Sequence, residues 1–451
     1  MIKYIIISTI IGITLRKKEQ MLISTIITNL ITILAIIKYN PNNIEIQYRD
    51  RILTIPIGLD GLSLILIVIT TMIYPIIITY TKTVSERRKW IILEGIIIII
   101  LTSLDIGIYY IIYEVILIPF YILISTYGSK GRIEASKRIY LYSLIGSLGL
   151  LVGIIYMYNR IGSTGNEIII YKIKEITKRE LIWLSIITPL LIKIPVWPIH
   201  SWLPLGHTEA STIGSVILAS IILKIGTYGI YRYIVETYTW ENKYYIVIIG
   251  TISIITIIYG SIITLRETDI KRIIAYTSII HMNYTTIGII IIEYISMIGS
   301  GYMTISHSII SSGWFMGIGI VYKRYKTRII KNYTELSKYM PIYGTIILLL
   351  IINMISTPLT TSFISEVIIL GGINKRNTII TIIISMTIIL NTGYTIWLYK
   401  RITSGRGRGR YKDITILEGI TIMPILVYSI TIGLSPKIIT NLLSMTILRI
   451  M

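Results

Sequence analysis

Four ionisable side chains lie where almost every neighbour is apolar: Glu114 between Tyr109 and Pro119, Lys193 between Leu190 and Pro198, Lys224 in the run after Gly214, and Glu366 beyond Pro358. A charge at bilayer depth costs at least about 2.5–3.5 kcal/mol on insertion scales, so each needs a reason to be there. Asp60, Glu94 and Asp105 have comparable surroundings. Two lysines and two glutamates on different helices cannot all face lipid, so they face one another or water inside a bundle. A Lys–Glu pair at depth is a proton-binding element whose affinity changes as the pair opens and closes. A fixed pair would only hold two helices together, and for one pair the two readings weigh evenly. The further lysine and glutamate, with His281 and His307, favour a relay, because imidazole titrates near neutrality. His200 and His207 are seven residues apart with Pro204 between them, no Cys exists, and no carboxylate stands four residues from either, so no zinc site is expected. The chain has no G-x-G-x-x-G, Walker A or G-x-S-x-G motif, which leaves cofactor or nucleotide chemistry within it unsupported.

Prolines set the elements that would hold these groups. Pro195, Pro198 and Pro204 fall around one span and Pro358 interrupts another, each removing a backbone donor and disturbing the turn before it. Unwound backbone at membrane depth is tolerated beside a cavity, and helices broken at corresponding places are the mark of a transporter built from repeats. Both breaks lie within eight residues of an intramembrane ionisable group.

The composition fits that picture. Of 451 residues 53% are hydrophobic and 14% charged, with a mean hydropathy of +0.75. Soluble domains run nearer a quarter charged. The net charge of +21 does not point to nucleic acid, because the basic residues are scattered between apolar runs. Without Cys, disulfides, thiolate metal sites and iron–sulfur clusters are excluded. The expected fold is an all-α polytopic membrane protein, one transmembrane domain over residues 1–451. Its spans number about fourteen, at roughly 2–15, 20–38, 58–80, 90–106, 107–127, 136–158, 181–200, 211–232, 244–265, 270–292, 296–322, 341–371, 377–400 and 414–434. The first, short span is expected to be retained, since no cleavage site follows it. Helices 7 and 12 should be discontinuous, and helices 4–8 and 9–13 should form two inverted five-helix repeats, near 90–232 and 244–400. Lys and Arg concentrate in the loops after odd-numbered helices, placing those loops on the cytoplasm-like side and both termini opposite. The basic stretch from Ser404 to Arg410 reads as a topology-pinning loop rather than an RNA-binding repeat. The abundance of Ile, and of Tyr (35) over Phe (3), looks like nucleotide bias in an organellar genome.

The residues resemble the antiporter-like subunits of respiratory complex I, most closely the chain 4 branch of that family. The strongest block is Leu191-Ile-Lys193-Ile-Pro195-Val-Trp-Pro198-Ile-His200-Ser-Trp-Leu-Pro204-Leu-Gly-His207-Thr-Glu-Ala210, continuing into Gly214-Ser-Val-Ile-Leu-Ala-Ser-Ile-Ile-Leu-Lys224-Ile-Gly-Thr-Tyr-Gly229. Thr268-Asp-Ile-Lys-Arg-Ile-Ile-Ala-Tyr-Thr-Ser278 with His281, and Ser306-His-Ser308 with Gly313, are further matches. Leu104-Asp105 followed by Glu114 and Leu117-Ile-Pro119 is similar to the chain 4 version. The resemblance spans roughly residues 58–400. It places the family's fifth-helix glutamate on Glu114, its seventh- and eighth-helix lysines on Lys193 and Lys224, and its twelfth-helix glutamate on Glu366. The sequence departs from the pattern at Ser211 (Pro in the family), at Gly206 (Ala) and around Glu366.

The resemblance implies a proton-translocating membrane-arm subunit of NADH:ubiquinone oxidoreductase. It implies no metal or cofactor in this chain, with NAD, FMN, iron–sulfur clusters and ubiquinone in other subunits. The implied partners are the chain 2 and chain 5 paralogues and membrane lipids, without nucleic acid, in the mitochondrial inner membrane with both termini towards the intermembrane space. Protons would enter from the basic face, pass Lys193 and Lys224 with help from His281, and leave through Glu366. A free-standing Mrp-type cation/proton antiporter would share the motifs. A passive scaffold would have no use for the intramembrane lysines and glutamates.

Overall fold

The computed structural model describes residues 1–43, 45–52, 55–175, 178–333, 335–404 and 412–451. The chain starts with α1 (Ile2–Thr14) and α2 (Lys18–Ile37), then a hairpin of β1 (Tyr48–Ile52) and β2 (Ile55–Leu59), antiparallel with Tyr48 opposite Leu59. Helices α3 (Gly61–Tyr80), α4 (Val84–Thr102), α5 (Ile106–Tyr127), α6 (Arg132–Ile161), α7 (Asn166–Lys172) and α8 (Arg179–Lys193) follow. Next come α9 (Trp202–Glu209), α10 (Thr212–Ile217), α11 (Leu223–Gly229), α12 (Thr239–Arg266), α13 (Ile270–Ile290) and α14 (Tyr294–Tyr325). The last are α15 (Leu336–Tyr339), α16 (Pro341–Met354), α17 (Thr361–Asn374), α18 (Thr378–Thr403), α19 (Ile416–Leu434) and α20 (Lys437–Ile450).

Among the described residues ten helices are long and apolar enough to cross a membrane. The other four expected spans fall on α1, on α4 with its charged first turns, and on the two helices that are broken. Span 7 stops at Lys193 and resumes as α9; span 12 stops at Met354 and resumes as α17. Both interruptions are where the prolines place them. Other elements lie outside the expected spans: β1 and the start of the hairpin in the 39–57 connection, α7 between spans 6 and 7, α9 between spans 7 and 8, α15 before span 12, and α20 after the last. Residues 405–411 of the basic loop lie outside the described residues.

The chain divides into two compact units, one of Met1–Ile194, Ile221–Ile246 and Asn441–Met451, the other of Pro195–Ser220 and Val247–Thr440. In the first, Asp105 caps α5 by accepting from the Gly107 and Ile108 N–H groups, and its strand-like backbone bridges Gly165. In the second, Asp269 caps α13 by accepting from Lys271 N–H and bridges Ile329. The flanking bonds repeat too. Ile106 donates to Thr164 O and Asn166 to Leu104 O, as Ile270 donates to Arg328 O and Ile330 to Thr268 O. The same motif thus recurs at one spacing, Asp105 to Asp269 and Gly165 to Ile329, inside each of the expected repeats. Such caps are worth about 1 kcal/mol each and fix where each buried helix begins.

Candidate functional site

Pro195 has no N–H and disfavours helical backbone at the residue before it, so α8 closes with Ile194 N–H on Leu190 O and leaves Lys193 as its last helical residue. The Lys193 side chain is 2% exposed. Its ammonium donates to Ser143 Oγ of α6 at 3.4 Å and lies 4.6 Å from the centre of the Tyr113 ring of α5, a cation–π contact. Glu114, the next residue on α5, accepts a hydrogen bond from Ser147 Oγ. Ser143 and Ser147 are one turn apart on α6, so the helix presents the lysine and the glutamate on one face. No direct ion pair joins them. Small residues let the backbones close in: a Cβ on Gly146 would lie 3.1 Å from Pro189 Cα, and one on Gly226 3.0 Å from Leu190 O and 3.2 Å from Lys193 Cβ.

Lys224, 1% exposed, sits in α11 between two π-helical stretches, Leu218–Ile222 and Ile230–Val235. The wider turn of a π segment disturbs the regular carbonyl ladder and often marks a functional site. Tyr109 of α5 supports this helix by donating its hydroxyl to Ile225 O at 2.9 Å.

In the second unit, His281 and His307 pack with ring centres 5.7 Å apart. With Thr277, Ser311, Trp314 and Met354 they line a cavity of about 20 Å³, room for about one water molecule. Glu366 lies on α17 just past the second break, 6% exposed, with Ser356, Tyr284 and Tyr394 around it. Ser356 (φ 60°) and Leu359 (φ 76°) hold left-handed backbone within the break, a conformation costly for residues with a Cβ. The Ser362 hydroxyl donates to the carbonyl of Asn353, which the interruption frees from the helix ladder. His200 and His207 do other things: His200 packs edge-on against Tyr259, and His207 stacks on Phe315 at 4.4 Å. No cluster of three His, Asp or Glu side chains with metal-site geometry exists among the described residues.

The sequence reading missed several of these residues. Ser143, Ser147 and Tyr113 carry no motif signal, and only their spacing relative to Glu114 could have drawn notice. Lys271 and Arg232 stand at the ends of expected spans and count with the loop charges, yet they are 4% and 2% exposed. Both therefore drop out of the loop-charge argument for orientation. Lys271 donates to Ala210 O at 2.8 Å and His207 O at 3.2 Å, so a cation closes the C-terminal carbonyls of α9. Arg232 pairs with Asp60 at 2.5 Å. Asp60 caps α3 from just outside the span. Burial alone would raise its carboxyl, but the Arg232 and Arg449 guanidiniums and the Ser63 N–H bring it down to about 2.

A membrane bundle with two broken helices, a buried lysine at the end of one and a buried glutamate at the start of the other, defines an antiporter-like subunit. Residues 103–391 match the family described as NADH:quinone oxidoreductase/Mrp antiporter, transmembrane. The chain is 34% identical over 433 residues to NADH-ubiquinone oxidoreductase chain 4 of Marchantia polymorpha, covering 92% of this chain and 88% of that one. It is 33% identical over 445 residues to NADH-quinone oxidoreductase subunit M of Rickettsia prowazekii (strain Madrid E), covering 94% and 91%. Its fold matches a chain of respiratory complex I from Thermus thermophilus with bound NADH, at a TM-score of 0.91 and 19% identity over the whole of both chains. The chain belongs to the NADH:quinone oxidoreductase/Mrp antiporter family, as a chain 4 or subunit M type antiporter-like member.

Proposed function

We propose that this chain translocates protons within the membrane arm of NADH:ubiquinone oxidoreductase, driven by electron transfer in other subunits. The observation that carries the reading is the placement of Glu114 and Lys193 on Ser147 and Ser143 of one helix face, at the point where α8 breaks. Lys193 feels the charge of Glu114, and no locked ion pair has to be broken. Movement of α5 or α8 then changes how tightly Lys193 holds a proton, so loading and release need no redox chemistry in this chain. Lys224 and, in the second unit, His281, His307 and Glu366 supply further proton-binding groups.

On this reading the chain holds no cofactor, and NAD, FMN, iron–sulfur clusters and ubiquinone belong to other subunits. Its neighbours are the chain 2 and chain 5 paralogues and membrane lipids, with no nucleic acid. The isoleucine-rich composition supports a mitochondrial inner membrane location, with the termini on the intermembrane-space side. The test is purification from native membranes. Co-migration with NADH dehydrogenase activity in a large complex, with proton pumping lost in Glu114→Gln, is the expected result. Purification only with other antiporter subunits, without NADH oxidation, would establish an Mrp-type antiporter instead.

A further inference from the structure

Glu94 takes no part in the arrangement above. It lies on α4 ten residues from the helix start, about 15 Å along its axis, in a segment apolar from Trp90 to Thr102. The residue is 0% exposed, and neither carboxylate oxygen has a hydrogen-bond donor. Among the described residues no Lys, Arg or His pairs with it. Its surroundings come from three helices. The Thr28 hydroxyl faces it from α2 and the Tyr74 phenol from α3, while α1 brings Thr9 against the neighbouring Gly95. Tyr74 is the one titratable group among these, and its hydroxyl is also without a partner.

Burial without a cation or a hydrogen-bond partner bears most on the state of the acid. Thr28 Oγ1 already donates to Thr25 O at 2.7 Å. With its proton on Thr25 O, Thr28 offers Glu94 a lone pair; turned towards Glu94 instead, it would give up that carbonyl. A carboxylate cannot use the lone pair, whereas a carboxylic acid can donate its O–H. An ionised carboxylate buried with neither cation nor donor is heavily penalised, and such a group neutralises instead.

We propose that Glu94 is an additional proton-binding site, a neutral carboxylic acid held among α2, α3 and α4 and separate from Glu114 and Lys193. The site takes a proton and not a metal cation, since the nearby hydroxyl of Thr28 and phenol of Tyr74 supply too few oxygens around the carboxyl for the six to eight that hard cations gather.

Dicyclohexylcarbodiimide, an apolar membrane-permeant reagent, tests this on the intact complex. The carboxyl oxygen bonds to the central carbon of the reagent and the acid proton passes to one nitrogen. An acyl shift to the other nitrogen leaves a stable N-acylurea, with nothing oxidised or reduced. Native membranes are treated at mildly alkaline pH, with and without excess Na⁺, and adducts are mapped by mass spectrometry. An adduct on Glu94 that Na⁺ does not diminish is the expected result. No adduct on Glu94 while Glu114 or Glu366 is modified in the same sample overturns the proposal, as does protection by Na⁺, which would make it a cation site. Glu94→Gln should assemble at near wild-type abundance with the adduct lost from that position. Assembly that survives Glu94→Asp but fails in Glu94→Gln would mean that the charge itself is required, and would also overturn it.

Discussion

Glu114 and Lys193 are held one turn apart along α6, the carboxylate by Ser147 Oγ and the ammonium by Ser143 Oγ, with the Tyr113 ring against the lysine. Each group is satisfied in part by a neutral hydroxyl rather than wholly by the other. A closed buried ion pair would be strongly destabilised by losing either partner. Two charges on separate serines can shift relative to each other at the cost of a hydroxyl contact.

Ser147→Ala removes the donor to Glu114, and a hydrogen bond to a charged group is worth about 1.5–3 kcal/mol. The complex should assemble and oxidise NADH, with proton pumping in reconstituted vesicles reduced but measurable. Ser147→Thr keeps the hydroxyl and should retain most of it. Glu114→Gln should reduce pumping more than Ser147→Ala does. Equal, unchanged pumping in all three would make this face of α6 purely structural.

For Lys224 the informative pair is Lys224→Ala against Lys224→Arg, scoring pumping and NADH oxidation together. Arginine keeps its proton at any accessible pH. If Lys224 takes up and releases a proton, both substitutions impair pumping. Full pumping in the arginine variant would reduce Lys224 to a fixed positive charge.

What the sequence made legible follows from chemistry that leaves a mark in residue type. Proline lacks an N–H, so the ends of α8 and α16 could be placed to within a few residues. Apolar run length made the spans visible in the same way. The π-helical stretches around Lys224 left no mark, because Leu218–Ile222 and Ile230–Val235 are composed like any apolar helix. Ser143 and Ser147 gain their meaning from what α5 and α8 bring to them. Arg232 and Lys271 read as loop charges because they sit at span ends, and only their tertiary partners, Asp60 and the carbonyls of α9, show that they are interior. The β1–β2 pair was hidden because a five-residue strand carrying Tyr48, Arg49, Asp50 and Arg51 lacks the apolar alternation of a half-buried one.

Gly226→Ala tests how closely α8 and α11 must approach. The added methyl would meet Ile194 Cγ1 at 2.8 Å, Leu190 O at 3.0 Å and Lys193 Cβ at 3.2 Å. Overpacking of this kind costs about 1–3 kcal/mol, and here it also pushes on the backbone that carries Lys193. Lower abundance of the assembled complex and weaker pumping per NADH oxidised are expected. Gly250→Ala, where nothing lies within 4 Å of the new methyl, is the matched control and should lose neither.

The last prediction concerns the cluster that ties α20 to α3. Asp60 receives Arg232 Nη2 at 2.5 Å and Arg449 Nη2 at 3.4 Å, and Arg449 also reaches Glu236 at 3.4 Å. A Cβ on Gly61 would lie 1.9 Å from Leu442 O, so α20 rests directly on the start of α3. Asp60→Asn leaves the buried Arg232 without its closest counter-charge, which by analogy with other broken buried pairs costs about 3–5 kcal/mol. Arg449→Ala removes the outer partner while Asp60 keeps Arg232, so its cost should be smaller. The dependence on pH has a definite sign. The Asp60 carboxyl is lowered from its usual 3.8 to about 2, so its stabilising contribution is complete above the usual value and is lost as the pH falls towards 2. Thermal unfolding of the detergent-solubilised complex should therefore rank wild type above Arg449→Ala above Asp60→Asn at neutral pH, and the gap between wild type and Asp60→Asn should narrow on acidification. A gap that stays constant down to strongly acid pH would show that the charge of Asp60 contributes nothing to holding α20.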